Sequence, residues 1–583
     1  MKIRSKFLLT IVFFAVVVLT KAQVTTSSIS GMIKDKEGPL VGATIKAVYQ
    51  KTGMMYGVIT TDKGNYVLNN LAPGGPYLVE VSFIGYETQK KENVYLTLGT
   101  DETFNFNLKS SDVQLSEVVV TTFKGGTAAQ AAAKTNISKE QIDYMPTLSR
   151  SFKDMVRLTP QGSNNSFMGT NFRYNNVTID GAINNDAIGF SPSLGGQTNS
   201  SGMIGSSTRS NAVSLDAIQE MQVFLSPFDI KIGNFLGGSI NAVTRSGSNK
   251  VEGSVYGFGR NSALVGPNSA GDKSKMPSGF TDYQTGYRVG LPLIKDKLFF
   301  FSNMELAKRE DPIIFGAGSS DISNVITAQQ ATDITNFVKT TYGFDPMQSG
   351  TSSRYANSEK FFNRLDWNIN SKNQLILRNN TVFSRATNLE RDQQNFRFQS
   401  NDFLQKNNST STVLELKSRL SNSLSNNLVL GYSSVKDTRD PLTDARMPQI
   451  QIASGGGTIF LGSERESTIF GFKQNTLEIS DNLTFFKNSH TFTIGTHNEL
   501  YNIDYGFVNS WNGRLDYNSV ADFLAIRPAR VRGNYNYTDN TRTYILTHPS
   551  ASFHVKLYSV YGQYEIKFSR KFSVTAGIGF DLA

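Results

Sequence analysis

From Val251 to the end of the sequence, short turn-like segments alternate with long polar segments, and the stretches between them alternate apolar and polar residues. In the final hairpin, Tyr558 and Val560 alternate with Ser559 and Gln563. Strands of about ten residues with one apolar and one polar face, joined by short turns at one end and long loops at the other, are typical of a transmembrane β-barrel. A soluble sandwich shares the two-residue period but has no reason to sort its loops by length. The pattern therefore predicts a membrane-spanning antiparallel β-barrel.

The predicted turns lie at residues 293–296, 370–373, 421–426, 487–489 and 569–570, and the long loops at 261–282, 307–360, 386–410, 436–473 and 504–556. This alternation of turns and loops implies about eleven strands, whereas barrels that hold a plug have 22 strands. An odd number would leave Ala583 outside the cell and strand edges open in lipid, where unpaired backbone groups are not tolerated. We therefore expect residues 251–583 to be a fragment with about half of a 22-stranded barrel.

Residues 1–22 predict a secretory signal peptide. Lys2, Arg4 and Lys6 precede an apolar run over residues 7–19, and small residues at positions 20 and 22 frame a cleavage site before Gln23. The apolar run is too short for a transmembrane helix. The sequence thus predicts an exported chain.

The charge and the cysteine count exclude several function classes. The formal net charge is +10, but the 58 Lys and Arg residues are scattered, which argues against nucleic-acid binding and favours anionic lipid headgroups as the counterpart. The sequence has no Cys, which excludes disulfides, thiol catalysis and Cys-ligated zinc. We expect no cofactor and no bound metal.

Residues 23–110 predict a small β-sandwich, because short alternating runs are evenly spaced by turn sequences. The predicted strands cover residues 29–33, 43–48, 57–60, 65–68, 77–84 and 103–108. The sequences GPLVGAT at 38–44, TDKGNY at 61–66 and VSFIGY at 81–86 resemble the carboxypeptidase regulatory-like domain, which implies a transthyretin-like fold. Asp35, Glu37 and Asp62 lie near turns with no His in this region, so they predict turns rather than catalysis.

Residues 125–250 predict an α+β domain. Ser138 and Gln141 have the spacing of a capping box, and an apolar stripe predicts a helix over 148–158. Residues 213–224 read as a short helix that runs into a strand. The segment 180–186 is rich in side-chain oxygens, but its spacing departs from the EF-hand pattern, so it predicts an Asx-rich turn rather than a calcium site.

Three motifs of this region resemble the plug domain of TonB-dependent outer-membrane transporters. They are TIDG at 178–181, AIQEMQV at 217–223 and GGSINAVTRSG at 237–247. The plug-signature residues that the resemblance marks are Asp180, Gly181, Gly237, Gly238, Asn241, Thr244 and Gly247. A plug lies against the polar wall of a barrel, which agrees with the many Gly, Asn and Ser residues here.

A linker at 111–124 contains three consecutive valines bounded by polar residues, which favour an extended strand able to pair with a partner's sheet edge. Taken alone, the run favours an ordinary edge strand or linker. Beside the plug motifs it resembles the TonB box, the periplasmic segment that binds TonB. The residues assigned to TonB binding by this resemblance are Leu115, Ser116, Glu117, Val118, Val119, Val120 and Thr121.

Together the motifs resemble the Oar-like or SusC-like group of TonB-dependent transporters. The resemblance implies a mainly β protein of the outer membrane, its N-terminal domain and TonB box in the periplasm, that imports a glycan, peptide or siderophore with energy supplied through TonB. Outer-membrane lipid is a second expected partner, and a surface substrate-binding lipoprotein is left open as a third. Tyr505, Trp511 and Tyr517 are candidate substrate contacts, because aromatic rings stack on sugars; loop packing is the alternative.

Two other function classes compete with this interpretation. A surface adhesin or scaffold built on a barrel would not need residues 115–121. A secreted hydrolase would need a catalytic constellation, but the four His residues, at 490, 497, 548 and 554, fall in predicted strands or a loop and form no catalytic motif. We therefore expect no enzyme activity.

Overall fold

The computed structural model describes residues 25–110, 133–147, 150–163, 166–170, 175–185, 206–225, 230, 237–268, 273–444, 446–534, 538–548, 551–568 and 572–583. The predicted signal peptide at 1–22 and the predicted TonB box at 115–121 lie outside these ranges. The described residues form mainly β structure, as predicted.

The N-terminal region is a two-sheet sandwich with an apolar core. Its strands are β1 (Ser27–Lys34), β2 (Thr44–Tyr49), β3 (Met54–Ile59), β4 (Asn65–Leu71), β5 (Gly74–Ser82), β6 (Gln89–Leu96), β7 (Asp101–Thr103) and β8 (Phe106–Asn107). One sheet has the order β4-β1-β7, with β8 also paired to β1, and the other has the order β3-β2-β5-β6. Strand β6 was not predicted, because it begins with four polar residues and lies at a sheet edge, where one face needs no apolar side chains.

The plug follows, with a mixed five-stranded sheet. Its elements are β9 (Ala133–Ile137), α1 (Lys139–Tyr144), α2 (Phe152–Val156), β10 (Gly162–Ser163), β11 (Ser166–Phe167), β12 (Asn176–Ile179), β13 (Ala182–Ile183), β14 (Ile218–Leu225) and β15 (Gly238–Thr244), with 3-10 turns at Ser206–Thr208 and Leu215–Ala217. The sheet order is β13-β12-β15-β14-β9.

Two helix predictions in the plug had different outcomes. The capping box of Ser138 and Gln141 is present at the start of α1 and is confirmed. The helix predicted over 148–158 is wrong in extent: α2 covers Phe152–Val156, and Leu158, counted in the apolar stripe, is 39% exposed. Residues 157–160 form turns instead, because Pro160 cannot extend a helix.

The remaining strands lie in two further sheets. They are β16 (Glu252–Asn261), β17 (Thr281–Ile294), β18 (Leu298–Ile313), β19 (Ser352–Asn370), β20 (Asn373–Thr387), β21 (Asn395–Arg397), β22 (Phe403–Arg419), β23 (Leu424–Pro441), β24 (Gln449–Ser454), β25 (Gly457–Leu461), β26 (Ile469–Lys487), β27 (His490–Val508), β28 (Arg514–Tyr517), β29 (Arg530–Arg532), β30 (Ala551–Lys567) and β31 (Ser573–Leu582). Three helices accompany them, α3 (Ala328–Tyr342), α4 (Val520–Leu524) and α5 (Arg542–Thr547).

The larger sheet is the barrel wall. Its order is β16-β17-β18-β19-β20-β22-β23-β26-β27-β30-β31, and every neighbouring pair is antiparallel. The predicted eleven strands are therefore confirmed within the described residues, and the predicted tight turns at 293–296, 370–373, 421–426 and 487–489 join neighbouring strands at one end of the sheet. The fifth predicted turn, at 569–570, lies outside the described residues. Among the helices in the described ranges, none is long and apolar enough to cross a membrane.

The long segments at the other end of the wall are not plain polar loops. Strands from three of them assemble a five-stranded sheet in the order β21-β25-β24-β28-β29, and α3 and α4 cover one face of it around an apolar core. We name these elements the loop domain. The sequence pattern missed it because each strand has only three to six residues, so no period extends far enough to be seen, and because the β21–β25 and β24–β28 pairings join distant segments.

Candidate functional site

The plug-signature residues converge on one hairpin turn and the strand beside it. Asp180 and Gly181 form the two-residue turn between β12 and β13 and have positive φ values of 47° and 78°, which is the type I′ geometry that favours an Asp-Gly pair. The carboxylate of Asp180 accepts hydrogen bonds from the backbone N–H and the hydroxyl of Thr244, at 2.7 and 2.6 Å. The two motifs that contain these residues therefore form one unit.

Two arginines of the wall hold the same carboxylate. Arg378 on β20 lies 3.0 Å from Asp180, measured from Nε to Oδ2, and Arg364 on β19 lies 3.6 Å from its other oxygen. Arg364 also pairs with Asp366 at 2.7 Å and donates to the hydroxyl of Thr244 at 3.0 Å. Because all these groups are buried, each charge depends on its partner rather than on water. The plug is thus fixed to the wall by an ionic cluster.

The other signature residues serve close packing. Asn241 on β15 accepts a hydrogen bond from Thr178 at 3.1 Å, and Gly237 directly precedes that strand. A Cβ on Gly238 would lie 2.5 Å from the ring of Phe167, and one on Gly247 would lie 2.6 Å from the carbonyl oxygen of Phe300. Glycine is required at both positions, because any side chain would overlap a neighbour.

Polar contacts join the plug to the wall along much of the sheet. Ser214 donates to Glu305 at 2.6 Å, Ser207 donates to Asp437 at 2.6 Å, and the backbone N–H of Ile183 donates to Glu478 at 2.8 Å. Inward-facing aromatic side chains of the wall also join the plug core, namely Phe301, Phe362, Phe470 and Phe472. Sequence inspection could not identify these wall residues, because every second residue of a barrel strand faces inward.

The chain enters the plug at an edge strand. β9 begins nine residues after the 111–124 linker, pairs with β14 from Ala133–Leu225 to Ile137–Met221, and forms one edge of the plug sheet. Its Lys134 donates to the carbonyl oxygen of Gly99 in the sandwich at 3.4 Å. The predicted TonB-binding residues 115–121 themselves lie outside the described residues.

A sandwich loop clamps the neighbouring strand. The side chain of Glu220 on β14 accepts a hydrogen bond from the backbone N–H of Leu98 at 3.1 Å, and Gln222 donates to the carbonyl oxygen of Leu98. Burial raises the pKa of Glu220 to about 7, more than its hydrogen bond and Lys134 lower it. The sandwich therefore contacts the plug strand that holds β9.

The three candidate substrate aromatics are not brought together. Tyr505 lies on the wall strand β27, where its ring packs against Phe470 and Phe507. Trp511 is half-buried in the turn before β28. Tyr517 is 4% exposed, and its ring packs edge-on against Phe523 at 5.1 Å. In this conformation Tyr517 serves the loop-domain core and offers no ring face to a ligand.

A polar cavity that sequence reasoning missed lies between the loop domain and the outer end of the wall. Its volume is about 250 Å³. The lining includes Arg397, Gln449, Gln451, Arg514 and Glu464. No group of His, Asp or Glu residues within the described ranges is arranged to hold a metal ion. The cavity suits an organic ligand with hydrogen-bonding groups.

These features define an outer-membrane barrel protein, and comparison with known proteins agrees. Residues 28–109 match the carboxypeptidase regulatory-like domain, and residues 243–354 and 324–583 match the outer membrane beta barrel domain. The second match takes in more than half of the chain, which therefore belongs to the outer membrane beta barrel domain family. The protein is located in the outer membrane, with its N-terminal domain in the periplasm.

The chain is also similar to particular proteins. The TonB-dependent transporter Oar of Myxococcus xanthus is 24% identical over 298 residues, which are 48% of this chain and 26% of that protein. The crystal structure of the outer membrane transporter YddB from Escherichia coli has a TM-score of 0.51 at 14% identity, over 77% of this chain and 56% of that chain, and shows the shared fold. The chain thus spans about a quarter of the length of the curated relative and just over half of the solved one. These relatives are transporters rather than enzymes.

Proposed function

We propose that the full-length protein is a TonB-dependent receptor that imports a large nutrient across the outer membrane. The observation that carries the proposal is the position of β9: this strand begins nine residues after the linker that contains residues 115–121, forms one edge of the plug sheet, and is held to β14 by five residue pairs. A pull on the linker would act first on this strand. An antiparallel edge strand can separate from its sheet without disturbing the strands behind it.

The contacts of the plug with the wall support movement inside the barrel. Many of them are hydrogen bonds and ion pairs, and water can replace such partners when the plug shifts. An apolar interface would lose its stabilisation outright on exposure to water. A polar plug interface therefore lowers the free energy needed to open a path.

The proposal assigns roles to each region. Residues 1–22 are a signal peptide, 23–110 a periplasmic regulatory-like domain, 111–124 the linker with the TonB box, 125–250 the plug and 251–583 part of the barrel. TonB binds residues 115–121, and neither a cofactor nor an enzymatic step is involved. The substrate is a glycan, a peptide or a siderophore, and delivery by a surface lipoprotein is compatible with this arrangement.

Deletion of residues 115–121 from the full-length gene in its own host tests the proposal. We expect uptake of one nutrient to collapse while the protein stays at the cell surface, as measured by growth on single glycans, peptides or iron complexes and by surface blotting. Deletion of residues 125–131 is the matched control, because it removes the same number of residues before β9 and spares the strand that binds TonB.

Full growth of the 115–121 deletion on a nutrient for which a complete gene deletion fails would contradict energy-coupled import. An adhesion defect of the complete deletion alone, with normal uptake in both strains, would favour the adhesin or scaffold instead.

A further inference from the structure

The sheet of the loop domain has one apolar and one polar face. Ile450, Ile459 and Leu515 point into the core under the helices. The alternate residues face the other way, because neighbours in a strand point to opposite sides. The strand registers set them in two rows across the sheet, namely Arg397, Phe460, Gln451, Asp516 and Arg530, then Gln449, Arg514 and Arg532.

The available groups on this polar face are donors. Among the described residues, the guanidinium groups of Arg530 and Arg532 have no ion-pair or hydrogen-bond partner and are exposed. Arg514 uses its Nε for Asp516 at 2.5 Å and keeps its terminal nitrogens available. The side-chain amide of Gln451 likewise has no partner within the described part of the chain. A ligand for this face must supply acceptors, and the arginines favour anionic ones.

Two acidic groups that line the cavity, Glu464 and Glu466, are largely neutralised. Glu466 pairs with Arg465 at 3.3 Å and with Arg439 at 3.8 Å. Burial and the adjacent Glu466 raise the pKa of Glu464 to about 7, against the effects of Arg439 and Arg397. Near neutral pH a large share of Glu464 is therefore uncharged. The cavity does not repel a carboxylate as strongly as its composition suggests.

Size and shape indicate how a ligand would lie. A volume of about 250 Å³ is below the roughly 300–1,000 Å³ of pockets that enclose a whole small ligand. Only part of the ligand would enter, and the rest would extend over Arg530 and Arg532 on β29. Residues two apart in an extended chain are separated by about 6.8 Å and share a face, so carboxylates at alternate positions of a peptide match these two arginines.

Neither aromatic residue that lines the cavity offers an open ring face to a sugar. Phe460 is 8% exposed, and the Arg397 guanidinium covers its ring at 4.0 Å. Phe403 is 3% exposed and lies beneath Arg439. Sugar recognition commonly uses ring stacking on exposed aromatic faces. These observations favour a peptide over an acidic sugar.

We propose that the polar face of the loop-domain sheet binds an extended acidic peptide, whose carboxylates pair with Arg514, Arg530 and Arg532 while one end enters the cavity beside Gln449 and Gln451. β29 is short and follows Pro528, features that protect a sheet edge against pairing with other strands. Recognition is therefore made by side chains. The inference rests on the proposed function and names the class of its substrate.

Fluorescence anisotropy of the full-length protein in detergent tests the site with a labelled alternating Glu-Thr hexapeptide. We expect saturable binding that the matching Gln-Thr hexapeptide does not show. The exchange Arg530→Gln with Arg532→Gln should weaken binding by about tenfold or more, since each lost charge-assisted contact contributes on the order of threefold or more. Both side chains are exposed, so the fold should persist.

The matched control is Lys273→Gln with Lys275→Gln, which removes two charges from exposed positions elsewhere and should leave affinity within about twofold. Binding that is unchanged in the arginine variant, or absent for the Glu-Thr peptide, overturns the inference. Binding of trigalacturonate at this face in place of the peptide overturns it as well, in favour of an acidic sugar.

Binding in detergent needs neither TonB nor an energised membrane, so the site and the transport proposal fail separately. Normal peptide binding in a protein that supports no uptake would contradict import and leave the site intact. Uptake that depends on residues 115–121 without any peptide binding would support energy-coupled import and overturn the peptide site.

Discussion

The loop domain and the plug are both folded segments attached to the barrel wall, yet they are held by different forces. The loop domain has its own apolar core, in which Phe396, Phe398, Ile452 and others are fully buried. The plug has an apolar core too, which it shares with aromatic side chains of the wall, and its remaining contacts with the wall include buried charges such as Asp180 and Arg378. A core of its own makes a region rigid and independent. A polar interface makes a region dependent on its surroundings and easier to release.

The largest effect should come from the loop-domain core. Phe396→Ala removes a fully buried ring that packs edge-on against Phe398 at 5.3 Å, and we expect a loss of about 4 kcal/mol of local stability. Limited trypsin digestion should then cleave the loop domain while the barrel stays intact on gels. Met347→Ala, at a 39% exposed position of the same region, should leave cleavage unchanged; equal protection of both variants would contradict an autonomous core.

The ionic cluster should respond in a different way. Arg378→Met leaves the buried carboxylate of Asp180 short of one partner, and we expect about 3 kcal/mol of destabilisation in thermal melts of the plug. Addition of Asp180→Asn, which removes the carboxylate charge and tolerates the left-handed turn conformation, should recover part of that loss, because the buried charge short of a partner is then gone. If instead the stability losses of the two substitutions add, the two charges are not coupled. The plug would then be held to the wall in the same way as the loop-domain core is held together.

A pH effect should appear where the sandwich meets the plug. The pKa of Glu220 is raised to about 7 in the folded contact and returns to its ordinary value near 4.5 when the contact opens. The contact is therefore strongest at low pH and weakens as pH rises through 4.5 to 7, with a total change of about 3 kcal/mol. Hydrogen exchange of the Leu98 amide should accelerate accordingly, beyond its intrinsic pH dependence. Glu220→Gln should abolish that additional change, and its persistence would exclude Glu220 as the cause.

The smallest effect concerns a local cap. Ser138→Ala removes the hydroxyl that caps α1, and we expect a loss of about 1 kcal/mol, seen as faster hydrogen exchange in residues 139–144 alone. Ser323→Ala, in an exposed turn whose hydroxyl bonds to Ser320, is a control outside the plug. A change that spreads to β9 would mean that the helix and the edge strand unfold together.

The sequence was sufficient for features set by short-range rules. Alternation revealed the strands of the wall, turn residues set their connections, and the Ser138–Gln141 spacing located a helix start. The positive φ values of Asp180 and Gly181 likewise follow from an Asp-Gly pair between two strands.

Features set by distant pairing were not predictable. The loop domain depends on strands such as β21 and β29, which have three residues each. Tyr517 was a candidate substrate contact because of its residue type, yet its partner Phe523 buries it. The arginines around Asp180 could not be told from other barrel arginines, because only the register of β19 and β20 brings them to the plug.

The buried cluster around Asp180 also restricts how this protein can change over generations. Loss of Asp180, Arg364 or Arg378 alone leaves an opposite charge out of water with fewer partners, whereas joint replacement of the whole cluster, Asp366 included, by apolar residues does not. Substitutions at these positions should therefore occur together in descendants of this gene, although Asp180 lies more than 180 residues before the others in the chain. Such correlated replacement would show that the contact between plug and wall has been maintained during evolution.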